Sequence, residues 1–232
     1  MAGNLHEFPD PETLAHELAI DVATQLTVAI AVRGSASIAV SGGSTPKRFF
    51  EALSEQDINW AKVTITLVDE RFVSADDERS NHRLVATHLL KGNAEAATFV
   101  PLYQPATTAE EAAKIATEKT SGFGNPFDVV ILGMGGDGHT ASFFPKGNNL
   151  ARAIDPEGPR GVLTMQAEGA GEERLTFSYT SLADARLLVL HIEGDAKMIV
   201  LEKAEDGDDE MDMPIRAVLN RAASPLQIYW AP

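Results

Sequence analysis

The stretch VVILGMGGDGHTASFFP, residues 129–145, changes character halfway along. It begins with four apolar residues, which are typical of a buried strand. Four glycines then follow within six positions, namely Gly133, Gly135, Gly136 and Gly138. Glycine permits positive φ and a close approach of the backbone to a ligand. Asp137 and His139 lie among and just after these glycines, so the segment predicts a functional loop at the end of a strand.

Predicted strands and helices alternate on both sides of this stretch. The runs SASIAV, KVTITLV, FDVVIL, RLLVLHI and LQIYW predict strands, and GVLTMQA and ERLTFSY predict two shorter ones. The first helix has Asp10 as its N-cap, Pro11 in its first turn and Gly34 as its stop. The alternation predicts a single α/β domain, residues 1–232, with a Rossmann-like, doubly wound, mostly parallel sheet and helices on both faces.

The composition excludes several classes of protein. The chain has 232 residues, of which 44% are hydrophobic, as in ordinary soluble globular proteins. It has no cysteine, which excludes disulfides, thiolate nucleophiles and cysteine-ligated zinc. A net charge of −15 argues against nucleic acid or an anionic membrane as partners. The acidic segment 205–212 reads as a solvated loop or, less favoured, a cation site.

The sequence predicts a cytoplasmic protein without a membrane partner. No apolar run reaches the roughly 18 residues that cross a bilayer. Arg33 and Gly34 interrupt the longest candidate, residues 26–40. Residues 1–13 lack the basic and apolar regions of a signal peptide.

Ligands of open α/β sheets bind at the carboxyl ends of the strands, near the point where the strand order reverses. The first unusual strand exit is SGGSTP, residues 41–46. Its glycines and hydroxyls come just before a helix N-terminus, where backbone N–H groups favour phosphate. The alternative is a plain turn in which Ser44 or Thr45 only caps the helix. The spacing is neither a Walker A motif nor GxGxxG.

The second unusual exit is VDERFV, residues 68–73. Asp69, Glu70 and Arg71 place three charges directly after an apolar strand, and burying charges is unfavourable unless they are paired or used. The segment is therefore either a surface salt-bridge cluster or part of a site.

The third exit is the opening stretch itself. Among the six histidines, His139 alone follows a predicted strand exit with an acid two residues before it. Histidine suits general acid–base chemistry near neutral pH, and a carboxylate such as Asp137 can fix its tautomer. The alternative is a polar turn with a hydrogen-bonded histidine. The other five, including His191 at a predicted strand end, are interpreted as structural. Because GxSxG and HExxH are both absent, a water nucleophile activated by a base is favoured.

The three exits together, in this order and at these separations, resemble the glucosamine-6-phosphate isomerase/6-phosphogluconolactonase family. ERLTFSYTSLADAR, GDAKMIVLEKA and MPIRAVL extend the resemblance over nearly the whole chain. The deaminase branch of that family reads Asp-Glu-Tyr in the second loop and ends the third in Asn-Glu-Pro. Here Arg71 replaces the tyrosine and Phe144 replaces that glutamate, so the resemblance is to the lactonase branch.

The resemblance implies a glucosamine-6-phosphate deaminase-like fold and a carboxylic ester hydrolase. The implied reaction converts 6-phospho-D-glucono-1,5-lactone to 6-phosphogluconate in the oxidative pentose phosphate pathway, without metal or organic cofactor. His139 would be the general base for water, and Asp137 would position it or its loop. Arg71 would neutralise charge on the carbonyl oxygen or hold substrate hydroxyls.

The resemblance also implies a binding site for the substrate phosphate. The residues expected to bind substrate are Gly42, Gly43, Ser44, Thr45, Asp69, Arg174, Lys197 and, as a weaker candidate, Arg216. For each basic residue the alternative is a charge on a helix surface or a rim.

Two other functions remain open from sequence. One is an aldose–ketose isomerase or deaminase of the same fold, and the other is a non-catalytic sugar-phosphate sensor. The net charge and the presence of His139 and Asp137 argue against the sensor. The expected partner is a small sugar-phosphate lactone, and the expected state is a monomer or weak homodimer.

Overall fold

The computed structural model describes residues 3–232; Met1 and Ala2, which the predicted domain 1–232 also includes, lie outside the described residues. The strands are β1 Asn4–Glu7, β2 Ala36–Val40, β3 Val63–Leu67, β4 Asp69–Arg71, β5 Thr98–Phe99, β6 Val129–Leu132, β7 Val162–Met165, β8 Arg174–Phe177, β9 Leu187–Glu193 and β10 Leu226–Ala231. Seven of them form one sheet in the order β1-β10-β9-β6-β2-β3-β5, and every pairing in it is parallel. The predicted mostly parallel α/β fold is therefore confirmed.

The order of the strands reverses between β2 and β6. From β2 the chain proceeds outward to β3 and β5, then returns to place β6 on the other side of β2. The backbone N–H of Ser41 donates to the carbonyl of Ile131 at 3.0 Å, which ties the exit of β2 to β6. Ligands of such sheets bind in the crevice at this reversal. The segments 41–46 and 133–145 leave the sheet there.

Helices flank the sheet. They are α1 Pro11–Arg33, α2 Lys47–Ser54, α3 Asn81–His88, α4 Ala109–Thr120, α5 Leu150–Ala153, α6 Tyr179–Leu182, α7 Asp195–Glu205 and α8 Ile215–Arg221. Short 3₁₀ turns occupy Trp60–Lys62, Gly92–Ala96 and Glu168–Ala170. The predicted ends of α1 are confirmed, because the Asp10 carboxylate accepts from the backbone N–H of Thr13 at 2.7 Å and Gly34 has φ +85°.

The expectation that no segment is long enough to cross a bilayer needs correction. By length and composition alone, α1 meets that requirement. In this structure α1 packs against α2 and strands of the sheet, and buries a stripe at helical spacing that includes Leu14, Leu18, Val22 and Leu26. Its position therefore resembles that of a core helix, with one side against the sheet.

A second, three-stranded sheet was not foreseen from the sequence. Its order is β4-β8-β7, and both pairings are antiparallel. The runs GVLTMQA and ERLTFSY do form strands, as predicted, but they belong to this sheet. β4 begins only two residues after β3, so the chain passes directly from the large sheet to the small one. Residues 69–71 thereby form the edge strand of the small sheet that follows β3 directly.

Glu70 is fully buried and links β4 to the start of α3. One carboxylate oxygen accepts the backbone N–H groups of Arg71 and Asn81, and the other accepts the Ser80 hydroxyl and the backbone N–H of His82. Burial raises the pKa of Glu70, and these hydrogen bonds oppose that rise. The sequence left residues 69–71 as either a surface salt-bridge cluster or part of a site. The first alternative is wrong for Glu70, because its carboxylate is buried and hydrogen-bonded.

We expect Glu70→Gln to lower the free energy of unfolding by about 1–3 kcal/mol, because an amide group leaves buried donors without an acceptor. Denaturant unfolding followed by circular dichroism measures this change. The exposed Glu78→Gln is the matched control. Equal stability of the two variants would contradict a structural role for the Glu70 carboxylate.

Candidate active site

A cavity of about 300 Å³ lies at the crevice between the exits of β2 and β6. The predicted site residues in its wall are Gly42, Gly43, Ser44, Thr45, Asp69, Arg71, His139, Arg174 and Lys197. The structure therefore brings together residues from five separate segments of the chain. Asp137 is not part of the wall but contacts the imidazole of His139, and Arg216 is not part of the wall either.

The loop after β2 leaves its hydroxyl groups free. Helix α2 has Pro46 at its N-cap position and no side-chain capping bond. The hydroxyls of Ser44 and Thr45 make no hydrogen bond to another residue of the described chain. The alternative in which one of them only caps the helix is therefore wrong. Gly43 has φ +93°, a backbone conformation that suits glycine, and the loop presents its polar groups to the cavity.

Asn81 is a cavity residue that sequence reasoning missed. A Cβ atom added at Gly42 would lie 1.9 Å from Asn81 Oδ1, so the two residues touch and only glycine fits. Asn81 Nδ2 donates to the Asp69 carbonyl at 2.9 Å. Asn81 thus joins the loop after β2 to β4. From sequence it was only a residue at the start of a helix, because its partner lies almost forty positions away.

Asp69 is held by a hydrogen bond rather than by a full ion pair. It is buried, and its Oδ2 accepts from the Ser142 hydroxyl at 2.6 Å. Arg174 Nη1 lies 4.0 Å from the same oxygen. Ser142 belongs to the loop after β6, so this bond connects β4 with the loop that carries His139.

Arg71 and Arg174 lie directly opposite each other on β4 and β8. The Arg71 guanidinium donates to the Arg79 carbonyl, and its Nε is buried without a partner. Arg174 Nε and Nη2 donate to the Ala170 carbonyl, which leaves Nη1 without a hydrogen bond. Burial lowers the pKa of Arg174, the charge of Asp69 raises it and that of Arg71 lowers it. Two partly desolvated cations side by side favour the entry of an anion.

Asp137 hydrogen-bonds the imidazole of His139 directly. Its Oδ1 lies 2.5 Å from His139 Nδ1 and also accepts the backbone N–H of His139 at 3.1 Å. Partial burial raises the pKa of Asp137, but the hydrogen bonds and charge from His139 outweigh it and lower the pKa to about 2. An ionised Asp137 places the proton on Nδ1, so Nε2 is left as the basic nitrogen.

Two neighbours restrict the His139 ring. A Cβ atom at Gly135 would lie 2.1 Å from His139 Nδ1, so the glycine makes room for the imidazole. On another side Phe144 packs against the ring with centroids 4.3 Å apart. The Arg174 guanidinium lies 5.4 Å from the centre of the same phenyl ring. Phe144 therefore places His139 and Arg174 in one part of the cavity.

Lys197 projects from the first turn of α7 into the cavity wall. Its ammonium group donates to the Met134 carbonyl at 2.7 Å. An ammonium group has three donors, so this bond orients Lys197 and leaves further donors for a ligand.

The expectation that Arg216 assists the phosphate is corrected by the structure. Its guanidinium donates to the carbonyls of Lys203, Ala204 and Asp209 and does not reach the cavity wall. These carbonyls lie at and just beyond the C-terminal end of α7, where a cation is favourable. Arg216 is 6% exposed, so the alternative of a charge on a helix surface or a rim is also wrong for it, and its role is to bind these carbonyls.

His191 was interpreted as a structural residue at a strand end, and the structure corrects its position. It lies within β9, is 2% exposed and forms part of the cavity wall. No motif marks it, because its neighbours along the chain are ordinary strand residues.

Residues 9–230 match the model of a protein family described as glucosamine-6-phosphate isomerases/6-phosphogluconolactonase. A curated 6-phosphogluconolactonase from Rhizobium meliloti (strain 1021) is 63% identical over the full length of both chains. A crystal structure of a 6-phosphogluconolactonase from Shewanella baltica OS155 has a TM-score of 0.95 and 41% identity, covering 99% of this chain and 98% of that one.

The chain therefore belongs to the glucosamine-6-phosphate isomerase/6-phosphogluconolactonase family. These relatives confirm the enzyme class predicted from the sequence, the lactonase branch. A monomeric glucosamine-6-phosphate deaminase, 17% identical, has a TM-score of 0.80 and covers 98% of this chain and 97% of that one. At that identity the likeness shows the fold alone, and it confirms the predicted deaminase-like fold.

We expect His139→Ala to raise the pKa of Asp137 from about 2 toward its ordinary value. The side-chain hydrogen bond and the charge of the imidazole disappear, while the burial that raises the pKa and the backbone N–H of residue 139 that lowers it both remain. In the wild type the carboxylate stays ionised as pH falls from its unfolded pKa toward about 2, so its stabilising contribution is lost only in that acidic range. Carbon-13 NMR titration of aspartate carboxyls measures both values.

Asp77 is an internal control in the same titration. Its hydrogen bonds to Arg79 hold its pKa at about 2, and it lies outside the cavity wall, so it should not change in the variant. If Asp137 keeps a pKa of about 2 in His139→Ala, the imidazole is not what holds it.

Proposed function

We propose that this chain hydrolyses 6-phospho-D-glucono-1,5-lactone to 6-phosphogluconate, as a step of the oxidative pentose phosphate pathway. One observation carries the proposal: Asp137 holds His139 Nδ1 at 2.5 Å beside a cavity that also contains Arg71, Arg174 and Lys197. A base and several cations in one cavity suit an anionic substrate that is attacked by water. The proposed partner is this small molecule alone, and the chain acts as a monomer or weak homodimer.

In the proposed mechanism His139 is the general base. Its Nε2 takes a proton from a water molecule as the water oxygen attacks C1 of the lactone. Asp137 stabilises the imidazolium that forms. The C1–O bond to the ring oxygen then breaks, and the imidazolium returns its proton to that oxygen. The products are a carboxylic acid, which ionises, and a free hydroxyl on C5.

Arg71 and Arg174 act at the reacting end of the substrate. Both are partly desolvated, lie opposite each other and are held by carbonyl groups. Preorganised cations of this kind stabilise the negative charge that develops on the carbonyl oxygen. Sequence reasoning assigned Arg174 to the phosphate. Its contact with Phe144, against which His139 also packs, supports a role beside Arg71.

The phosphate is bound at the other end, by the loop after β2 and Lys197. The free hydroxyls of Ser44 and Thr45, the flexible backbone at Gly42 and Gly43 and the N-terminus of α2 form an anion-binding loop. Binding energy from this remote group can hold C1 against the base and the water. A δ-lactone is an activated ester, so one base and a few oriented charges suffice.

The deaminase reaction of the same family is less well supported. Sequences of that branch carry a glutamate at the position of Phe144. Here a phenyl ring packs 4.3 Å from the imidazole, so no carboxylate supports the base from that side.

We expect His139→Ala to lower kcat by about 10²–10⁴-fold, the usual contribution of a general base. Affinity for 6-phosphogluconate should stay near that of the wild type. In the assay, glucose-6-phosphate dehydrogenase generates the lactone, and its disappearance is followed with and without the protein. The exposed His16→Ala is the control. Near wild-type kcat in His139→Ala would eliminate His139 as the base.

We expect Lys197→Met to raise KM for the phosphorylated lactone roughly 10–100-fold, since hydrogen bonds to charged groups contribute about 1.5–3 kcal/mol. Hydrolysis of unphosphorylated glucono-δ-lactone should be unchanged. Lys203→Met, an exposed lysine on the same helix, is the matched control. A KM that rises equally for both lactones would contradict the phosphate assignment.

A further inference from the structure

His191 is a buried polar side chain whose ring nitrogens make no hydrogen bond within residues 3–232. It is 2% exposed. Buried polar groups are almost always hydrogen-bonded, and an orphaned one calls for an explanation. The neighbouring β9 residues Leu188, Val189 and Leu190 are apolar and fully buried, so an apolar residue would satisfy the packing. The Glu193 carboxylate lies near Nε2, so it is for Nδ1 that a partner is to be sought outside the chain.

The ring belongs to the wall of the same cavity as the loop after β2. The edge of His191 meets the ring of Phe49, in the first turn of α2, with centroids 6.1 Å apart and planes at 81°. Residues 41–46, which carry Ser44 and Thr45, lead directly into that helix. His191 shares the cavity wall with these two residues and with Lys197.

A carboxylate lies beside the imidazole, as one does at His139. Glu193, two residues on and on the same face of β9, has its Oε1 3.3 Å from His191 Nε2. Its other oxygen lies 3.7 Å from Arg48 Nη1, which holds the carboxylate in place. With Nε2 directed at Glu193, the remaining nitrogen for a ligand is Nδ1. An N–H at Nδ1 can donate a hydrogen bond to a phosphate oxygen.

We propose that His191 is a phosphate-recognition residue, whose Nδ1–H donates to the phosphoryl group of the substrate while Glu193 orients the ring. This inference deepens the proposed function and depends on its placement of the phosphate beside the loop after β2. His191 would add a hydrogen-bond donor from strand β9 to the donors of Lys197 and of the loop after β2. This role also explains why an imidazole without a hydrogen bond is kept in the middle of the parallel sheet.

The test measures binding separately from turnover. Isothermal titration calorimetry with inorganic phosphate, 6-phosphogluconate and gluconate compares the wild type with His191→Leu and His191→Asn. In His191→Leu, affinity for the two phosphorylated ligands should fall about tenfold or more, since a charged hydrogen bond is lost. Affinity for gluconate, which carries no phosphate, should stay unchanged. His191→Asn, whose amide nitrogen can replace Nδ1, should retain most of the affinity.

His82→Leu is the matched control. Its Nδ1 is likewise buried without a partner, but His82 packs against Phe99 and is not part of the cavity wall. Equal loss of phosphate affinity in both leucine variants, or an unchanged affinity in His191→Leu, would overturn the proposal. So would a fall in kcat without a change in phosphate binding.

A measurement on the wild type covers the case in which His191→Leu does not fold. In protein labelled with ¹⁵N-histidine, inorganic phosphate should shift the Nδ1 resonance that is missing from His191→Asn. No shift at saturating phosphate would overturn the inference even if the enzyme hydrolyses the lactone. A wild type that binds phosphate with this shift but leaves the lactone untouched would instead overturn the proposed function.

Discussion

The reversal of strand order between β2 and β6 is the constraint on which the rest of the structure depends. Parallel strands have their carboxyl ends at the same edge of the sheet. After the neighbouring strands β2 and β6 the chain continues in opposite directions, which opens a crevice between the two loops. The loop after β2 carries free hydroxyls to the wall of the cavity, and the loop after β6 carries His139 to the same cavity. Neither loop needs to fold into a regular element, because the sheet fixes where each begins.

The small antiparallel sheet contributes the charges. Its strand β4 holds residues 69–71, and the alternation of side chains along the strand makes Asp69 and Arg71 line the cavity while Glu70 is buried. Glu70 then fixes the start of α3, and Asn81 on that helix packs against Gly42. Strand β4 thus links Arg71 and Asp69 to the loop after β2.

Charge is distributed unevenly in a chain of net charge −15. Arg71, Arg174 and Lys197 come from three different elements, and all of them line one cavity of about 300 Å³. Backbone carbonyls orient all three, and Asp69 lies beside Arg174 at 4.0 Å without a hydrogen bond to it. An acidic surface repels anions in general, so this local concentration of positive charge is what makes one small anionic substrate favourable.

The sequence by itself determined the local features: the ends of α1, the alternation of strands and helices, and the glycine-rich exits with Asp137 and His139. These depend on neighbours within a few positions, such as the Asp10 bond to Thr13. The tertiary structure alone decided the separate sheet, the contact of Asn81 with Gly42, the structural role of Arg216 and the place of His191. Each of these depends on partners far apart in the chain, which no local pattern encodes.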